Sequence, residues 1–359
     1  MAEGLSRRRV GTPRETDEND TQTHASSPSL HRMQTDETKT DKLPLLTLME
    51  ETLLLGLKDQ EGYLSFWNDS LSYVLRGCML MELAFRRRIR ISKDAFTGMT
   101  AVGERELEVI SVKPTGEVLL DEALKAIKTS ESRRSVASWM DLLSGETWNI
   151  AKANYQLKQV RERLAKGLVD KGILRTEKRN FLFFDMATHP IQDPRAKDEV
   201  ILRLLDTLNL PRTAATPTRA ARASGTASPA GANPAYARFA VGQGIGGQAG
   251  RLKLAPLTNP RFYKNEEHSR FALLRRVCLV AAACAGSVLE NPLTHLDMET
   301  RDRAVTRAED LMDVYGRWPF KRESPLFTSE VGSGEAGDLM VEEVIASVIY
   351  VLRKMDKLL

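Results

Sequence analysis

Basic and amide side chains are concentrated between Tyr155 and Lys166 of this 359-residue chain, in the stretch YQLKQVRERLAK. Lys158, Arg161 and Arg163 are three of its cations. An arginine holds a phosphate with two parallel hydrogen bonds, and a lysine holds one with a compact positive charge. The formal net charge of +4 also permits an anionic partner. This stretch therefore indicates a site for a phosphorylated ligand or for nucleic acid.

Catalytic and metal-binding patterns are missing from the sequence. The five histidines are scattered, and no hydrolase nucleophile motif or Walker sequence occurs. Two GxGxxG matches, at 242–247 and 332–337, lack the strand and helix that make this motif bind dinucleotides. We therefore expect a protein that is not an enzyme and that uses no metal and no cofactor.

An apolar run stands directly beside a charged tetrapeptide in the stretch TEKRNFLFFDMATHP, residues 176–190. The pattern predicts two short strands joined around a polar turn formed by Glu177, Lys178, Arg179 and Asn180. The apolar run that follows consists of Phe181, Leu182, Phe183 and Phe184. A strand buries only about half of such a run against its own domain. The remaining side chains need either a protein partner or the interfacial zone of a bilayer.

The elements that position these residues are predicted to be mostly helices. Thr47 and Glu50 have the spacing of a capping box in front of a leucine-rich helix. Apolar residues at helical spacing predict further helices at 116–128, 135–144, 154–171, 268–291, 298–317 and 338–359, with Gly145 and Gly172 ending two of them. The fold class is therefore mostly α, a single globular helical domain with one prominent β-hairpin.

Two segments have the composition of disordered chain. Residues 1–42 are polar and nearly free of large apolar side chains, and residues 211–264 are rich in Ala, Gly and Pro and carry no acidic residue. We expect a disordered N-terminal arm, then a helical domain over 43–359 interrupted by this insertion and by a loop at 323–337. Cys78, Cys278 and Cys284 form no CxxC pair, which favours buried thiols in a reducing compartment.

A winged helix is the alternative that the element order leaves open. A basic helix, a glycine and a two-stranded wing follow one another here, and the helix carries Lys158, Arg161 and Arg163. Wing tips that contact DNA are polar or basic, however, whereas this hairpin presents an apolar run. Binding of nucleic acid therefore stays the second hypothesis.

Long runs of the chain resemble the Golgi phosphoprotein 3 family of peripheral Golgi proteins. The runs are LTLMEETLLLGLKDQEGYLSFWNDSLSYVLRGCML, TGEVLLDEALK, SWMDLLSGETWN, YQLKQVRERLAKGLVDKGILRTEKRNFLFFDMATHP, VLEN, RDRAVTRAE and MDKLL. The resemblance implies a helical domain whose basic face binds phosphatidylinositol 4-phosphate. It places the headgroup site on Trp67, Arg76, Lys158 and Arg161, where Lys158 replaces an arginine of vertebrate-type members.

The resemblance also implies the partners of the protein. The hairpin matches the family element implicated in self-association and membrane insertion, which implies a homo-oligomer. The arginine cluster Arg7, Arg8 and Arg9 is similar to the one that contacts the COPI coat. The expected function is that of a peripheral adaptor, cytosolic and on the cytoplasmic face of Golgi membranes. It links cytosolic tails of Golgi glycosyltransferases to COPI for their retention and retrograde transport, and it has no nucleic-acid partner.

Overall fold

The computed structural model describes residues 46–63, 69–93, 97–145, 150–181, 184–210, 271–320 and 336–355. The described part is mostly helical, as predicted, and its helices share one hydrophobic core. The helices are α1 Leu48–Gly56, α2 Asp69–Phe85, α3 Val118–Thr129, α4 Val136–Ser144, α5 Val160–Asp170, α6 Pro194–Thr207, α7 Ala272–Ala285, α8 Glu290–Leu293, α9 Met298–Tyr315 and α10 Ala336–Met355.

Two small antiparallel sheets accompany the helices. The first has the strand order β1 (Ile89–Ile91), β2 (Glu106–Val109) and β3 (Arg134–Ser135), with Ile89 opposite Val109 and Leu107 opposite Arg134. The second is the predicted hairpin, β4 (Glu177–Phe181) paired with β5 (Phe184–Thr188). The sheet of β1 to β3 was not predicted, because each of its strands has only two to four residues.

Helix α1 lies at the centre of the domain, and every one of its residues is buried. It begins with the predicted capping box, in which the Thr47 amide donates to Glu50 Oε2 at 2.8 Å and the Glu50 amide donates to Thr47 Oγ1 at 3.3 Å. A helix that is covered on all sides has to be surrounded by others. Helices α2, α5, α6, α7 and α8 pack around it.

Buried ion pairs join α1 and α2 to the surrounding helices. Glu51 of α1 accepts from Arg203 of α6 at 2.7 Å, and both side chains are almost fully buried. Glu82 of α2 accepts from Arg275 of α7 at 2.9 Å and from the Leu48 amide at 3.2 Å. Burial alone would raise the pKa of Glu82, but Arg275 and Arg86 hold it below its usual value. Glu82 is therefore charged and paired inside the core.

Two sequence predictions about the basic helix and the hairpin are wrong in detail. Helix α5 begins at Val160, because Tyr155 ends a short 3₁₀ helix and Gln159 has a left-handed φ of 53°. The tetrapeptide Glu177, Lys178, Arg179 and Asn180 is not a turn. It lies within β4, and the pairing of Phe181 with Phe184 places the connection at residues 182–183.

Of the other predictions, some are confirmed, some are wrong, and some fall outside the described residues. Gly145 and Gly172 end or follow their helices with left-handed φ angles of 84° and 72°. Helix α10 begins at Ala336, inside the predicted 323–337 loop. Helix α6 was missed, although Asp193 caps it and Pro194 is its first residue. The arm 1–42, the insertion 211–264 and most of the 323–337 loop lie outside the described residues.

The prediction of buried thiols is confirmed for two of the three cysteines. Cys78 and Cys278 are buried and Cys284 is half-buried. Burial raises the pKa of Cys78 to about 12, so this thiol stays protonated. Among the described residues, each helix is either too short or too polar to cross a membrane.

Replacing Glu82 tests the buried ion pairs. Glu82→Ala leaves the buried Arg275 without its carboxylate, so we expect a loss of about 3 to 5 kcal/mol in the free energy of unfolding. Urea unfolding measures it, with Glu131→Ala as the control because Glu131 is exposed. A loss below about 1 kcal/mol for Glu82→Ala would contradict the assigned role.

The pH dependence of stability tests a second carboxylate, Asp198 of α6. Burial, and then repulsion by Asp59, raises its pKa from 3.8 to about 6. Between these values the folded state binds more protons than the unfolded state, so this contribution to stability falls as the pH rises from about 4 to 6. Asp198→Asn should therefore stabilise the protein by about 1 kcal/mol at pH 7, less than an unscreened charge would give.

Urea unfolding at pH 7 and pH 4.5 measures this effect. We expect the gain from Asp198→Asn to be smaller at pH 4.5 than at pH 7. Asp302→Asn, which changes an exposed carboxylate, is the matched control. An equal gain at both pH values would mean that Asp198 is not the titrating group.

Candidate functional site

Three of the predicted headgroup residues line one open pocket of about 460 Å³. Arg76 comes from α2, whereas Lys158 and Arg161 come from the loop before α5 and from its first turn. The remaining lining residues are Ser72, Ser144, Gln156, Leu157, Gln159, Val160 and Glu162. The pocket thus collects three cations and one carboxylate, with hydroxyl and amide groups between them.

Arg76 is buried and fixed by backbone carbonyl groups. Its Nε donates to Leu143 O at 3.1 Å and its Nη2 donates to Leu157 O at 2.9 Å. Its Nη1 donates to both Ser72 O, at 2.8 Å, and Ser72 Oγ, at 2.9 Å. One guanidinium therefore joins α2 to the end of α4 and to the loop in front of α5. Arg76 builds the pocket as well as charging it.

The N-terminus of α5 forms another part of the pocket wall. The side chain of its N-cap residue, Gln159, makes no capping hydrogen bond. The amide of Arg163 donates to Gln159 O at 2.9 Å. The amides of a first helical turn have no partner within the helix and carry the positive end of its dipole. Lys158 is exposed and Arg161 half-buried beside them. This combination suits the binding of an anion.

Two further cations fix α5 to neighbouring helices. Arg163, one turn further along α5, forms a two-pronged ion pair with Glu122 of α3 at 2.7 and 2.8 Å. Lys171, just beyond the other end of α5, donates to Glu50 of α1 at 2.7 Å. Helix α5 is thus fixed near both ends, so Lys158 and Arg161 project from a supported frame.

The hairpin is anchored at its base to the segment that precedes residues 64–68. The His189 amide donates to Gly62 O at 2.9 Å, and the Ile191 amide donates to Asp59 O at 3.0 Å. Gly62 has a φ of 69°, and a Cβ there would lie 2.2 Å from the Pro190 nitrogen. A side chain at this position would therefore push the hairpin base away.

Several predicted site residues lie outside what the structure describes. These are Trp67, the arginines Arg7, Arg8 and Arg9, and the hairpin residues Leu182 and Phe183. Phe181 and Phe184 are placed as a backbone pair in the hairpin. Sequence reasoning missed Ser72 and Ser144, because only the folded chain brings them to Arg76 and Lys158.

A conservative substitution separates the building role of Arg76 from its charge. Arg76→Lys keeps the charge but cannot reach Leu143 O, Leu157 O and Ser72 O together, so we expect a loss of about 2 to 3 kcal/mol in the free energy of unfolding. Lys158→Ala is the control and should cost less than about 0.5 kcal/mol, since Lys158 is exposed. Equal stability of both variants in urea unfolding would rule out the building role.

Comparison with known proteins identifies the family. The family model described as Golgi phosphoprotein 3 (GPP34) matches residues 48–344. The chain is 41% identical over 383 aligned positions to "Vacuolar protein sorting-associated protein 74" of Schizosaccharomyces pombe, covering all of both chains. It is 42% identical over 326 positions to the protein of the same name from Eremothecium gossypii, covering 88% of this chain and 85% of the relative. The chain therefore belongs to the Golgi phosphoprotein 3 family.

Proposed function

We propose that this protein is a non-enzymatic adaptor on the cytoplasmic face of Golgi membranes. It binds phosphatidylinositol 4-phosphate in the pocket of Arg76, Lys158 and Arg161. It links cytosolic tails of Golgi glycosyltransferases to the COPI coat, which retains these enzymes and returns them by retrograde transport. Membership of the Golgi phosphoprotein 3 family supports this role, and the pocket is the observation that carries the lipid part of it.

The chemistry of the pocket supports a phosphate ligand. Arg76, Lys158 and Arg161 outnumber the single carboxylate, Glu162, and the uncapped first turn of α5 adds backbone donors. Phosphate oxygens accept such bonds from arginine forks and from helix N-termini. Trp67 would add an amphipathic ring at headgroup depth. Lys158 gives charge without the planar fork of an arginine, so it contributes less geometric selectivity.

An electrostatic interaction at the hairpin base supports a hairpin that lies beside the pocket. His189 lies at the base of the hairpin, and Glu162 lies in the first turn of α5. Burial lowers the pKa of His189, and the carboxylate of Glu162 opposes this shift. Strand β4 extends from the hairpin base for five residues, or about 17 Å. This course supports a hairpin tip that reaches the same membrane as the pocket.

Two weak contacts with one membrane give a stronger combined attachment. Burying one phenylalanine contributes roughly 1.5 to 3 kcal/mol, and each basic residue near an anionic surface contributes about 1 kcal/mol. Neither contact alone holds a protein firmly, whereas a headgroup site and an inserted hairpin together provide avidity. Self-association through the hairpin would multiply these contacts. The cluster Arg7, Arg8 and Arg9 would then remain available to bind the COPI coat.

Flotation with vesicles tests the lipid site. The vesicles have matched surface charge and contain either phosphatidylinositol 4-phosphate or phosphatidylserine. We expect selective binding to the phosphoinositide, and the double variant Lys158→Glu with Arg161→Glu should weaken it about thirtyfold or more, since each reversal removes at least about 1 kcal/mol. Lys158 is exposed and Arg161 is half-buried, so the variant should still fold.

Lys113→Glu is the control, because Lys113 is exposed and does not line the pocket. It changes the net charge without touching the lining residues and should retain most of the binding. Equal binding of the wild-type protein to both kinds of vesicle would refute selective recognition in this pocket. A gel shift with random duplex DNA on the same samples tests the nucleic-acid alternative.

A further inference from the structure

The loop between β2 and α3 presents an unusual set of exposed apolar side chains. We call residues 109–118, VISVKPTGEV, the distal loop. Ile110 is 41% exposed, Val112 is 65% exposed and Val118 is 68% exposed. Single exposed apolar residues are ordinary on protein surfaces. Three exposed β-branched side chains within nine residues form a cluster rather than single exposed residues. Such side chains lose little rotamer entropy when a partner covers them.

The distal loop is held in place from beneath. The amide of Ile110 donates to Arg88 O at 2.9 Å, and Arg86 Nη1 donates to Thr115 O at 2.8 Å. Asp121 of α3 accepts from the Thr115 amide at 2.7 Å and from Thr115 Oγ1 at 2.8 Å. The exposed side chains therefore stand on a fixed backbone. A fixed surface binds with a smaller loss of entropy than a mobile one.

Two exposed cations lie within or next to the distal loop. Lys113 is exposed between Val112 and Pro114. Arg87 remains 47% exposed although it pairs with Asp338 at 3.3 Å. The nearby carboxylate of Glu117 lies 3.6 Å from Lys171. Apolar side chains beside lysine and arginine fit a segment that carries both apolar and acidic side chains.

The distal loop lies at the opposite end of α2 and α5 from the lipid pocket. Ser72, near the start of α2, lines the pocket, whereas Arg86 directly follows the helix and bonds the loop. At 1.5 Å per residue these two positions are about 20 Å apart along the helix. Helix α5 agrees, because Val160 lines the pocket and Lys171, just past its end, contacts Glu117. The pocket and the distal loop therefore lie at opposite ends of both helices.

We propose that the distal loop docks an acidic, partly apolar segment of a partner protein while the pocket is on the membrane. If the membrane lies across the pocket end of α2 and α5, as in the proposed function, the loop is about 20 Å away from it along α2, which favours a protein as the occupant. The orientation toward the cytosol rests on the proposed lipid site, whereas the docking surface itself does not. The loop gives an adaptor a folded contact on the side away from the membrane.

Methyl NMR on the full chain tests this proposal, with labelled Ile and Val methyl groups that report on Ile110, Val112 and Val118. The probe is a pool of synthetic twelve-residue peptides that each contain three acidic and three large apolar residues. A second pool carries lysine at the acidic positions. We expect the acidic pool to shift the three sets of methyl signals, and the lysine pool to shift them at least tenfold less at equal concentration.

The double variant Val112→Asp with Lys113→Glu should lose at least tenfold in affinity for the peptides that bind. Met298→Ser is the matched control, because Met298 is 75% exposed on α9, and it should bind as the wild-type protein does. Both variants should still float with phosphoinositide vesicles, which separates this proposal from that of the lipid site. The proposal is overturned if the acidic pool leaves the three residues unshifted, if both pools shift them equally, or if vesicles broaden them instead.

Discussion

The buried carboxylates of the central helix are the constraint on which the rest of the structure depends. Helix α1 is covered on every side, so Glu50 and Glu51 lie in the core. A buried charge without a partner costs several kcal/mol, which requires that surrounding helices bring cations to these two positions. Lys171 reaches Glu50 and Arg203 reaches Glu51. The pairing therefore sets where α5 and α6 stand relative to the core.

The position of α5 in turn determines what the surface can do. One end of this helix is held by Lys171 at the core and the distal loop, and the other end contributes amides, Lys158 and Arg161 to the pocket. Arg76 closes the arrangement by tying α2 to the loop in front of α5. In the proposed function, the hairpin also reaches the pocket end. The proposed membrane contacts are therefore gathered at one end of the two helices, and the distal loop is left at the other.

Local signals in the sequence predicted much of the fold. The capping box of Thr47 and Glu50 and the glycines at 145 and 172 act within a few residues, so they can be read without knowing the partners. The start of α5 was misplaced because Leu157 continues the helical spacing of Val160 and Leu164. Leu157 is buried outside the helix, where its carbonyl accepts from Arg76. Such a long-range bond leaves no mark on the local pattern.

The pocket was predictable only in part for the same reason. Lys158 and Arg161 belong to a visible cationic run, whereas Arg76 stands in an apolar stretch and was assigned by family resemblance alone. Its bonds to Leu143 and Leu157 span 67 and 81 residues of chain. The hairpin turn was misplaced because strand register depends on pairing across the hairpin, which sets Phe181 opposite Phe184. The composition of the hairpin predicted that some of its apolar side chains would be exposed. It did not predict at which end of the domain they would lie.

Hydrogen exchange of the full chain on phosphoinositide vesicles tests the central claim, that one end of α2 and α5 meets the membrane and the other end does not. The account predicts slower exchange on binding in residues 156–163 and in the hairpin strands 177–188, with no change in the distal loop at 109–118. Protection of the distal loop, or unchanged exchange at 156–163, would contradict this orientation.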